Sequence, residues 1–251
     1  DLVVVVVKTD PAANPPHSGV SLLLVEATTP GFERGRNLEK LGLKGQDTSE
    51  LFFNDCRVPV ENLLGEEGTG FKIAQSRLGA GRIHHCMRSL GTAERALELF
   101  LMRATDKKKV AFGKTLSEHG TIIEGIAKSR IQIEQARLLV LMAAHKIDVT
   151  DAKGALRDIA MSKVAVVASA FEVVDRAMQA HGAEGICQDT PLAQMWSGLR
   201  TLRYADGPDE VHLQQLGKIE LRRAEGLWKV KEARDAKSKA LLAAHGVKSH
   251  L

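Results

Sequence analysis

Aromatic residues are scarce in this sequence, and its cysteines are few and widely separated. Phe, Trp and Tyr make up 4% of the 251 residues, and the abundance of Ala and Leu beside them favours a helical bundle. Cys56, Cys86 and Cys187 form no Cys-x-x-Cys pair, which argues against a disulfide framework or a zinc site and fits reduced thiols in an intracellular protein. No apolar run approaches the roughly 20 residues that span a bilayer, so we expect no membrane span.

An excess of acidic residues is also lacking, because the formal net charge is +4 and the basic surplus lies near the C-terminus. From Gly217 onwards there are nine Lys or Arg residues against four Asp or Glu. Such a segment could contact nucleic acid, a membrane surface or an anionic cofactor, but a solvated helix face explains it more simply. The chain begins at Asp1, inside a strand-like run, and is therefore expected to be a fragment of a longer protein.

Extended segments occupy the first quarter of the chain. Runs rich in Val and Leu predict strands at 2–7 and 20–27, and further extended stretches at 50–54 and 56–60. The glycines of 65–70 follow, but Gly-Glu-Glu-Gly-Thr-Gly holds two acids and has no Gly-Lys-Ser/Thr ending. It therefore predicts a hinge rather than a phosphate loop.

From Phe71 onwards the apolar residues recur with the helical period of about 3.6. The first helix is predicted to end near Asp106, and the third to stop at the glycines of 181–185. Four helices joined at alternate ends form an antiparallel bundle, and helical spacing continues into the basic tail as a fifth helix or a long extension. The sequence thus predicts a mainly α chain with a partial antiparallel β domain at 1–68, a four-helix bundle at 69–222 and a basic helical tail at 223–251.

An acidic corner separates two apolar helical patterns at 202–216. Pro208 is favoured at the first helical position, which predicts Gly207 as the N-cap. Asp209 and Glu210 then lie in the first turn, where the helix dipole favours acids, with Glu210 at the capping-box position. Asp206 lies outside the helix, so it either faces a cleft as a base or is a solvated acid at a capped turn.

The histidines show no metal or triad pattern. His84, His85 and Cys86 are adjacent on a predicted helix and cannot converge on one metal ion, so core or interface packing is predicted for them. His181 and His212 lack the acid and nucleophile spacing of a catalytic triad. No metal site is predicted.

A series of motifs, in order and spacing, resembles the acyl-CoA dehydrogenase family, closest to the branch whose larger members carry an upstream kinase-like domain. The resemblance covers essentially residues 1–222, namely the second half of the family's β domain and its C-terminal bundle, without its N-terminal helical domain. The motifs are Thr-Pro-Gly-Phe at 29–32, Leu-Gly-Leu at 41–43, Val-Pro-Val-Glu-Asn-Leu-Leu-Gly at 58–65, Gly-Arg-Ile-His-His-Cys-Met-Arg at 81–88, Ala-Phe-Gly-Lys-Thr-Leu at 111–116, Gln-Ala-His-Gly-Ala-Glu-Gly at 179–185 and Ala-Asp-Gly-Pro-Asp-Glu-Val-His at 205–212.

The resemblance implies a flavin-dependent oxidoreductase that performs the α,β-dehydrogenation of an acyl-CoA thioester, with FAD as cofactor. Asp206-Gly207 occupies the position of the family's usual glutamate-glycine pair, so Asp206 is the implied α-proton base, and the hydride goes to flavin N5. Asp is one methylene shorter than the usual Glu. Some relatives carry the base just before the arginine of the first bundle helix, but here that position is Gly81, and Arg82 is the implied arginine of the catalytic pocket.

The same resemblance implies the cofactor site. Phe112 and Gly113 would meet the flavin of a neighbouring subunit, which implies a homodimer or homotetramer. Lys109 stands where the family has an arginine, so it keeps the charge but loses the bidentate fork for pyrophosphate. Gly120 replaces a glutamine that relatives use. The implied cofactor-binding residues are Lys109, Phe112, Gly113, Gln179, Gly182 and Glu210.

Electron-transfer flavoprotein or oxygen is the implied electron acceptor. The alternatives are an acyl-CoA oxidase, a non-catalytic assembly subunit, and a nucleic-acid-associated relative on the same scaffold. The retained Asp206 favours the enzyme, and the tail lacks the interleaved aromatic residues of a nucleic-acid groove.

The last three residues, Ser249-His250-Leu251, resemble a C-terminal peroxisomal signal. We therefore expect a peroxisomal location, with the mitochondrial matrix or the bacterial cytoplasm as alternatives.

Overall fold

The computed structural model describes residues 1–43 and 45–246, so the signal-like end at 249–251 lies outside the described residues and its targeting role stays a prediction. The described chain is mainly helical, with strands in its first quarter and one short hairpin between the first two helices. The strands are β1 (Leu2–Lys8), β2 (Val20–Glu26), β3 (Phe32–Asn37), β4 (Ser49–Phe53), β5 (Val110–Ala111) and β6 (Lys114–Thr115).

The strands form three two-stranded antiparallel ladders: β1 with β2, β3 with β4, and β5 with β6. β1 pairs with β2 without a register break, from Leu2 opposite Glu26 to Lys8 opposite Val20. Residues 56–60 were predicted to be extended, but they form no strand, and a short 3₁₀ turn begins at Val60. β3 had no strand signal, because Phe-Glu-Arg-Gly-Arg-Asn shows no apolar alternation.

Five α-helices occur in the described part of the chain. They are α1 (Gly70–Thr105), α2 (Gly120–Val149), α3 (Leu156–His181), α4 (Leu192–Leu202) and α5 (Asp209–Ala244). α1 packs on α2 and α3, and α3 also packs on α4 and α5, so the four long helices form the predicted bundle around α3. The first helix ends at Thr105 with Asp106 as its C-cap, and the third stops at Gly182, as predicted.

Small residues dominate the seams of the bundle. Ala93, Ala96 and Ala104 on α1 and Ala143 on α2 are at most 1% exposed, and Phe100 is the largest buried side chain among them. Alanines at these positions let the helix axes approach closely, while the few large apolar groups fill the space that remains. This packing explains how a chain so poor in aromatic residues builds a dense core.

α5 differs from the sequence prediction at its start and continues beyond the bundle. Pro208, not Gly207, is the N-cap, and no side chain makes a capping hydrogen bond there. Asp209 and Glu210 lie in the first turn, as predicted. The basic tail is the continuation of the same helix as far as Ala244. Among the described helices, none combines the length and apolar character needed to cross a membrane.

Candidate functional site

The corner between α4 and α5 is held in a left-handed conformation. Asp206 has φ +55° and Gly207 has φ +107°, values that Asp tolerates and glycine adopts freely. Arg203 closes the corner: its carbonyl accepts from the Asp209 backbone N–H at 3.0 Å, and its Nε donates to Asp209 Oδ2 at 2.7 Å. Asp209 is therefore buried in a structural role, whereas Asp206 is directed away from the helix start.

Asp206 lies against α1 and contacts residues on two successive turns of that helix. Arg82 Nε donates to the Asp206 backbone carbonyl at 2.9 Å, so the arginine holds the backbone and not the carboxylate. Asp206 Oδ2 lies 3.0 Å from His85 Nε2, with the two side chains 24% and 20% exposed. A Cβ at Gly81 would come within 3.2 Å of the same oxygen, so the absence of a side chain there makes room for the carboxylate.

The predicted catalytic residues Asp206, Gly207 and Arg82 are thus brought together, and His85 joins them. Packing had been predicted for His85, and packing alone does not describe it, because its ring contacts the candidate base. The signal was present in the helical spacing, since residues 81, 85 and 88 lie on one face of α1. The sequence did not predict that this face of α1 contacts the α4–α5 corner.

The charges around this corner shift the pKa values of several groups. Burial lowers the pKa of the His85 imidazole, and nearby Arg88 and Lys163 act in the same direction, whereas Asp206 opposes them. Burial also lowers the pKa of Arg82, again opposed by Asp206. Burial raises the pKa of the Cys86 thiol to about 12, so this cysteine is neither a nucleophile nor a thiolate ligand at neutral pH.

A buried lysine on α3 holds the end of α4, next to the corner. Lys163 on α3 is fully buried, and its Nζ donates to the Leu202 carbonyl at the end of α4. Burial lowers the pKa of Lys163, although the carboxylates of Asp209 and Asp206 favour its charged form. The lysine therefore fixes the last turn of α4, from which the corner with Asp206 starts.

A cavity of about 710 Å³ opens beside Asp206, between α1, α4 and the segment before β4. Its wall carries Leu199 and Met195 from α4, while His85 and Arg88 contribute from α1. A volume of this size, with an apolar wall and a few converging polar groups, is typical of small-molecule sites.

Two of the other predicted site residues, Phe112 and Gly113, lie beyond the opposite end of α1, on the β5–β6 hairpin. Phe112 (φ +52°) and Gly113 (φ +76°) form its two-residue turn, whose paired positive φ angles match the twist of a tight hairpin. The Phe112 side chain is 97% exposed, and its nearest aromatic neighbour is His119, edge-on at 6.4 Å between ring centroids. The Phe112 ring therefore makes little contact within the described chain.

Beside the hairpin, Arg103 ties the end of α3 to α1. Its guanidinium donates to the carbonyls of Ala180 and His181 at 3.3 Å and pairs with Glu184 at 2.9 Å. Lys109 Nζ reaches the same Glu184 carboxylate at 3.5 Å, so part of its charge is compensated within the chain. The turn itself is open: Gly182 has φ +63°, and a Cβ there would meet no atom within 4 Å.

The predicted residues therefore divide into two groups. Asp206, Gly207 and Arg82 lie at one end of the bundle, with the exposed Glu210 in the first turn of α5. Lys109, Phe112, Gly113, Gln179 and Gly182 lie at the other end. From Arg82 to Arg103, α1 alone covers about 30 Å, since each helical residue advances roughly 1.5 Å. The two groups are therefore held apart at opposite ends of the described bundle.

Among residues 1–43 and 45–246, no cluster of three His, Cys, Asp or Glu side chains is arranged to hold a metal ion.

Comparison with known proteins identifies the family and the fold. The sequence profile described as "Acyl-CoA dehydrogenase, C-terminal domain" matches residues 68–221. A mouse protein, acyl-CoA dehydrogenase family member 10, is 52% identical over 217 residues, which are 86% of this chain and 20% of the mouse protein. The chain thus spans only about a fifth of that relative.

Solved structures give the same result for the three-dimensional arrangement. The acyl-CoA dehydrogenase of Geobacillus kaustophilus superposes with a TM-score of 0.80 at 36% identity, over 87% of this chain and 56% of the other. PigA, solved with FAD and proline, superposes with a TM-score of 0.80 at 28% identity, over 88% of this chain and 57% of PigA. With the profile matching more than half of its residues, the chain belongs to the acyl-CoA dehydrogenase family.

Proposed function

We propose that this chain carries the base and part of the cofactor site of a flavin-dependent acyl-CoA dehydrogenase. The observation that carries the proposal is the Asp206 carboxylate: it is about a quarter exposed, borders the 710 Å³ cavity and takes no part in capping α5. The family to which the chain belongs favours an acyl-CoA thioester as the substrate.

In this proposal Asp206 removes the α-proton of the thioester while the β-hydrogen leaves as hydride. An α-C–H bond of a thioester is a weak acid, so a base must be held close to it and in its charged form. His85 engages Oδ2, which leaves Oδ1 as the oxygen that accepts the proton. Arg82 fixes the backbone that carries the carboxylate, which limits the positions that the base can take.

FAD fits the second group of residues. The bare Phe112 ring offers a face for a flat ring system, and the open backbone at Gly113 and Gly182 allows close approach. Lys109 provides a cation near the same surface, weakened by its pairing with Glu184. When bound, FAD supplies the acceptor for the hydride; electron-transfer flavoprotein or oxygen would then reoxidise it.

The test is Asp206→Asn in the flavin-loaded enzyme, with reduction of the flavin by acyl-CoA as the measurement. Loss of a general base typically lowers the rate by about 10²- to 10⁴-fold. The melting temperature should stay within a degree or two, on the order of the effect of a surface substitution, because the Asn amide oxygen still accepts from His85. Turnover near that of the wild type in this variant would refute the assignment of the base.

The matched control is the same chemical change three residues away, Asp209→Asn. Asp209 is 5% exposed and pairs with Arg203 at 2.7 Å, so its neutralisation should lower the melting temperature instead. The opposite pattern, with Asp209→Asn stable and Asp206→Asn unstable, would show that Asp206 has a structural role.

The nucleic-acid alternative gains little from the basic tail. Several of its cations are paired within α5 itself: Lys229 with Glu225 at 2.8 Å, and Lys231 with Asp235 at 2.6 Å. Such i,i+4 pairs compensate the positive stripe that phosphate binding needs. The enzyme is therefore the better-supported function.

A further inference from the structure

A chain of hydrogen bonds runs along one face of α1 and ends at the candidate base. Arg88 Nη2 lies 3.0 Å from His85 Nδ1, and His85 Nε2 lies 3.0 Å from Asp206 Oδ2. Residues 85 and 88 are three apart in the helix, so their side chains are neighbours by construction. Both ring nitrogens of His85 are thus engaged, and neither is left for a metal ion or for substrate.

The partners determine which nitrogen carries the proton. A guanidinium has only donors, so Nδ1 must accept from Arg88 and cannot itself carry hydrogen. Nε2 then carries the hydrogen of a neutral ring and donates it to the Asp206 carboxylate. The charged groups facing His85 are Arg88 on α1, Lys163 on α3 and Asp206 at the corner; burial and both cations lower the pKa of the ring, and only Asp206 raises it.

We propose that His85 is a positioning residue for Asp206, locked by Arg88 as the neutral Nε2–H tautomer. The inference rests on the proposed function, in which Asp206 is the base. A neutral donor holds Oδ2 in place and leaves the carboxylate basic. A cationic imidazolium would form an ion pair that favours the charged carboxylate further and makes it a poorer proton acceptor.

This role follows from the shape of the corner. Asp206 lies in a loop with a positive φ and is one methylene shorter than Glu. Among the described residues, no other α1 side chain forms a hydrogen bond or ion pair with its carboxylate. Gly81 opens the space beside Oδ2 and provides no contact to hold it. His85 is therefore the group that selects one rotamer of the Asp206 side chain, with Arg88 acting through it.

The kinetic test compares His85→Leu, His85→Gln and His84→Leu in the flavin-loaded enzyme. His85→Leu removes the donor and should lower kcat roughly 10- to 100-fold, as expected for the loss of a hydrogen bond to a charged group, while KM for the acyl-CoA stays nearly constant. The Gln amide can place its Nε2 near the position of the imidazole Nε2, so His85→Gln should recover most of the rate. His84 is exposed on the same helix and provides the matched control, with no change expected.

The pH dependence of kcat is a further measurement. If His85 had only a structural role, replacing it would not shift this pH dependence. Without its donor, the charged form of Asp206 is less stabilised, so the acidic limb of the kcat profile should shift to higher pH in His85→Leu and return in His85→Gln. A fall in kcat with an unmoved acidic limb, or a Gln variant no better than Leu, would overturn the proposal.

A second measurement needs no turnover. In the full chain with ¹⁵N-labelled histidine, long-range ¹H–¹⁵N correlation spectra at neutral pH should show His85 as the Nε2–H tautomer, assigned by its loss in His85→Gln. In Arg88→Met the pKa of His85 should rise, because a cation that opposes protonation is gone. A cationic ring or an Nδ1–H tautomer in the unaltered chain would overturn the inference.

The two proposals can fail separately. If Asp206→Asn still dehydrogenates acyl-CoA, the proposed base is wrong whatever the tautomer of His85. If Asp206→Asn is inactive but His85 is cationic, or its replacement by Leu leaves kcat unchanged, the base stands and the positioning role is wrong.

Discussion

Two glycines next to the candidate base have different duties. Gly207 has a positive φ of 107°, where any side chain would strain the backbone, and a Cβ there would also come within 3.0 Å of His212 Nε2. Gly81 is in the middle of α1, where helix propensity would favour alanine by about 1 kcal/mol. A glycine at that position destabilises the helix. In return it leaves room for the Asp206 carboxylate, because a Cβ at Gly81 would lie 3.2 Å from Asp206 Oδ2.

Gly81→Ala should therefore separate stability from activity. Alanine improves the helix, and its Cβ displaces the Asp206 carboxylate by a few tenths of an ångström, so the melting temperature should hold or rise while kcat falls by about 10-fold. Thermal unfolding and flavin reduction by acyl-CoA measure the two effects. If kcat stays unchanged, the close approach of Gly81 to Asp206 has no bearing on catalysis.

His212 makes the stability of the corner depend on pH. Its side chain is buried, and neither ring nitrogen has a hydrogen-bond partner among the described residues. Burial, together with Arg82 and Lys163, lowers the pKa of this imidazole in the folded state. The unfolded chain then binds the proton more readily than the folded chain below about pH 6.5, the ordinary value for histidine.

Folding stability should accordingly fall as the pH drops below about 6.5. His212→Leu replaces the buried ring with an apolar side chain and should reduce this dependence while leaving stability at pH 8 equal or higher. Urea unfolding at pH 8 and pH 5.5 gives the comparison, with the exposed His145 replaced by Leu as a control. Equal pH slopes in His212→Leu and the unaltered chain would exclude His212 as the cause.

At the scale of elements, the sequence was sufficient to predict a helix where the apolar residues recur with the helical period and signals for the helix end follow them. α1 and α3 were predicted because apolar residues recur over many turns and glycines or turn residues follow their ends. α4 was not among the predicted helices, since its 11 residues are too few for a clear period. Residues 56–60 were predicted to be an extended stretch stopped by Pro59, but no neighbouring strand pairs with them in the described ladders.

The candidate site shows the same limit. Asp206, Arg82 and the hairpin residues could be predicted through motifs, but the contact of His85 with Asp206 joins residues 121 positions apart in the chain (206 − 85). Such a contact depends on how α1 and the α4–α5 corner pack, which no local pattern specifies. Lys163 beneath the corner was missed for the same reason, because a lysine in an apolar helix pattern predicts a solvated position.

The junction between α1 and the end of α3 depends on one arginine. Arg103 is 16% exposed, donates to two carbonyls and pairs with Glu184. Arg103→Met should leave those α3 carbonyls unsatisfied and lower the free energy of unfolding by about 1–3 kcal/mol. Arg95→Met is the control, because Arg95 on the same helix forms only an exposed pair with Glu98 and should cost less than about 0.5 kcal/mol.

Chemical unfolding of the two methionine variants measures this difference directly. A loss in Arg103→Met no larger than that in Arg95→Met would mean that the α3 end is held by packing alone. A larger loss would identify Arg103 as the residue that shapes the turn presenting Gly182.

At the scale of the whole molecule, the two groups of site residues are separated by a length of α1 that no local rearrangement can close. About 30 Å lies between Arg82 and Arg103, and the hairpin with Phe112 lies beyond the latter. The exposed Phe112 ring and the cavity beside Asp206 therefore lie at opposite ends of the described bundle. We expect a symmetric oligomer in which the hairpin of one chain completes the flavin site of its neighbour.

This arrangement predicts that two inactive variants restore each other. Asp206→Asn removes the base, and Phe112→Ser removes the aromatic face, so each oligomer of a single variant should be inactive. In a hybrid dimer, one site combines the intact Asp206 of one chain with the intact Phe112 of the other, and the second site carries both changes.

The hybrid, purified through two different affinity tags, should regain about half of the wild-type activity, since an isologous pair holds two equivalent sites. Flavin content in the hybrid should be about half of that in the Asp206→Asn parent and above that in the Phe112→Ser parent, because only a site with an intact hairpin retains the cofactor. A hybrid no more active than its parents would show that the base and the hairpin of different chains do not share a site. A monomer with stoichiometric flavin would exclude the shared site independently.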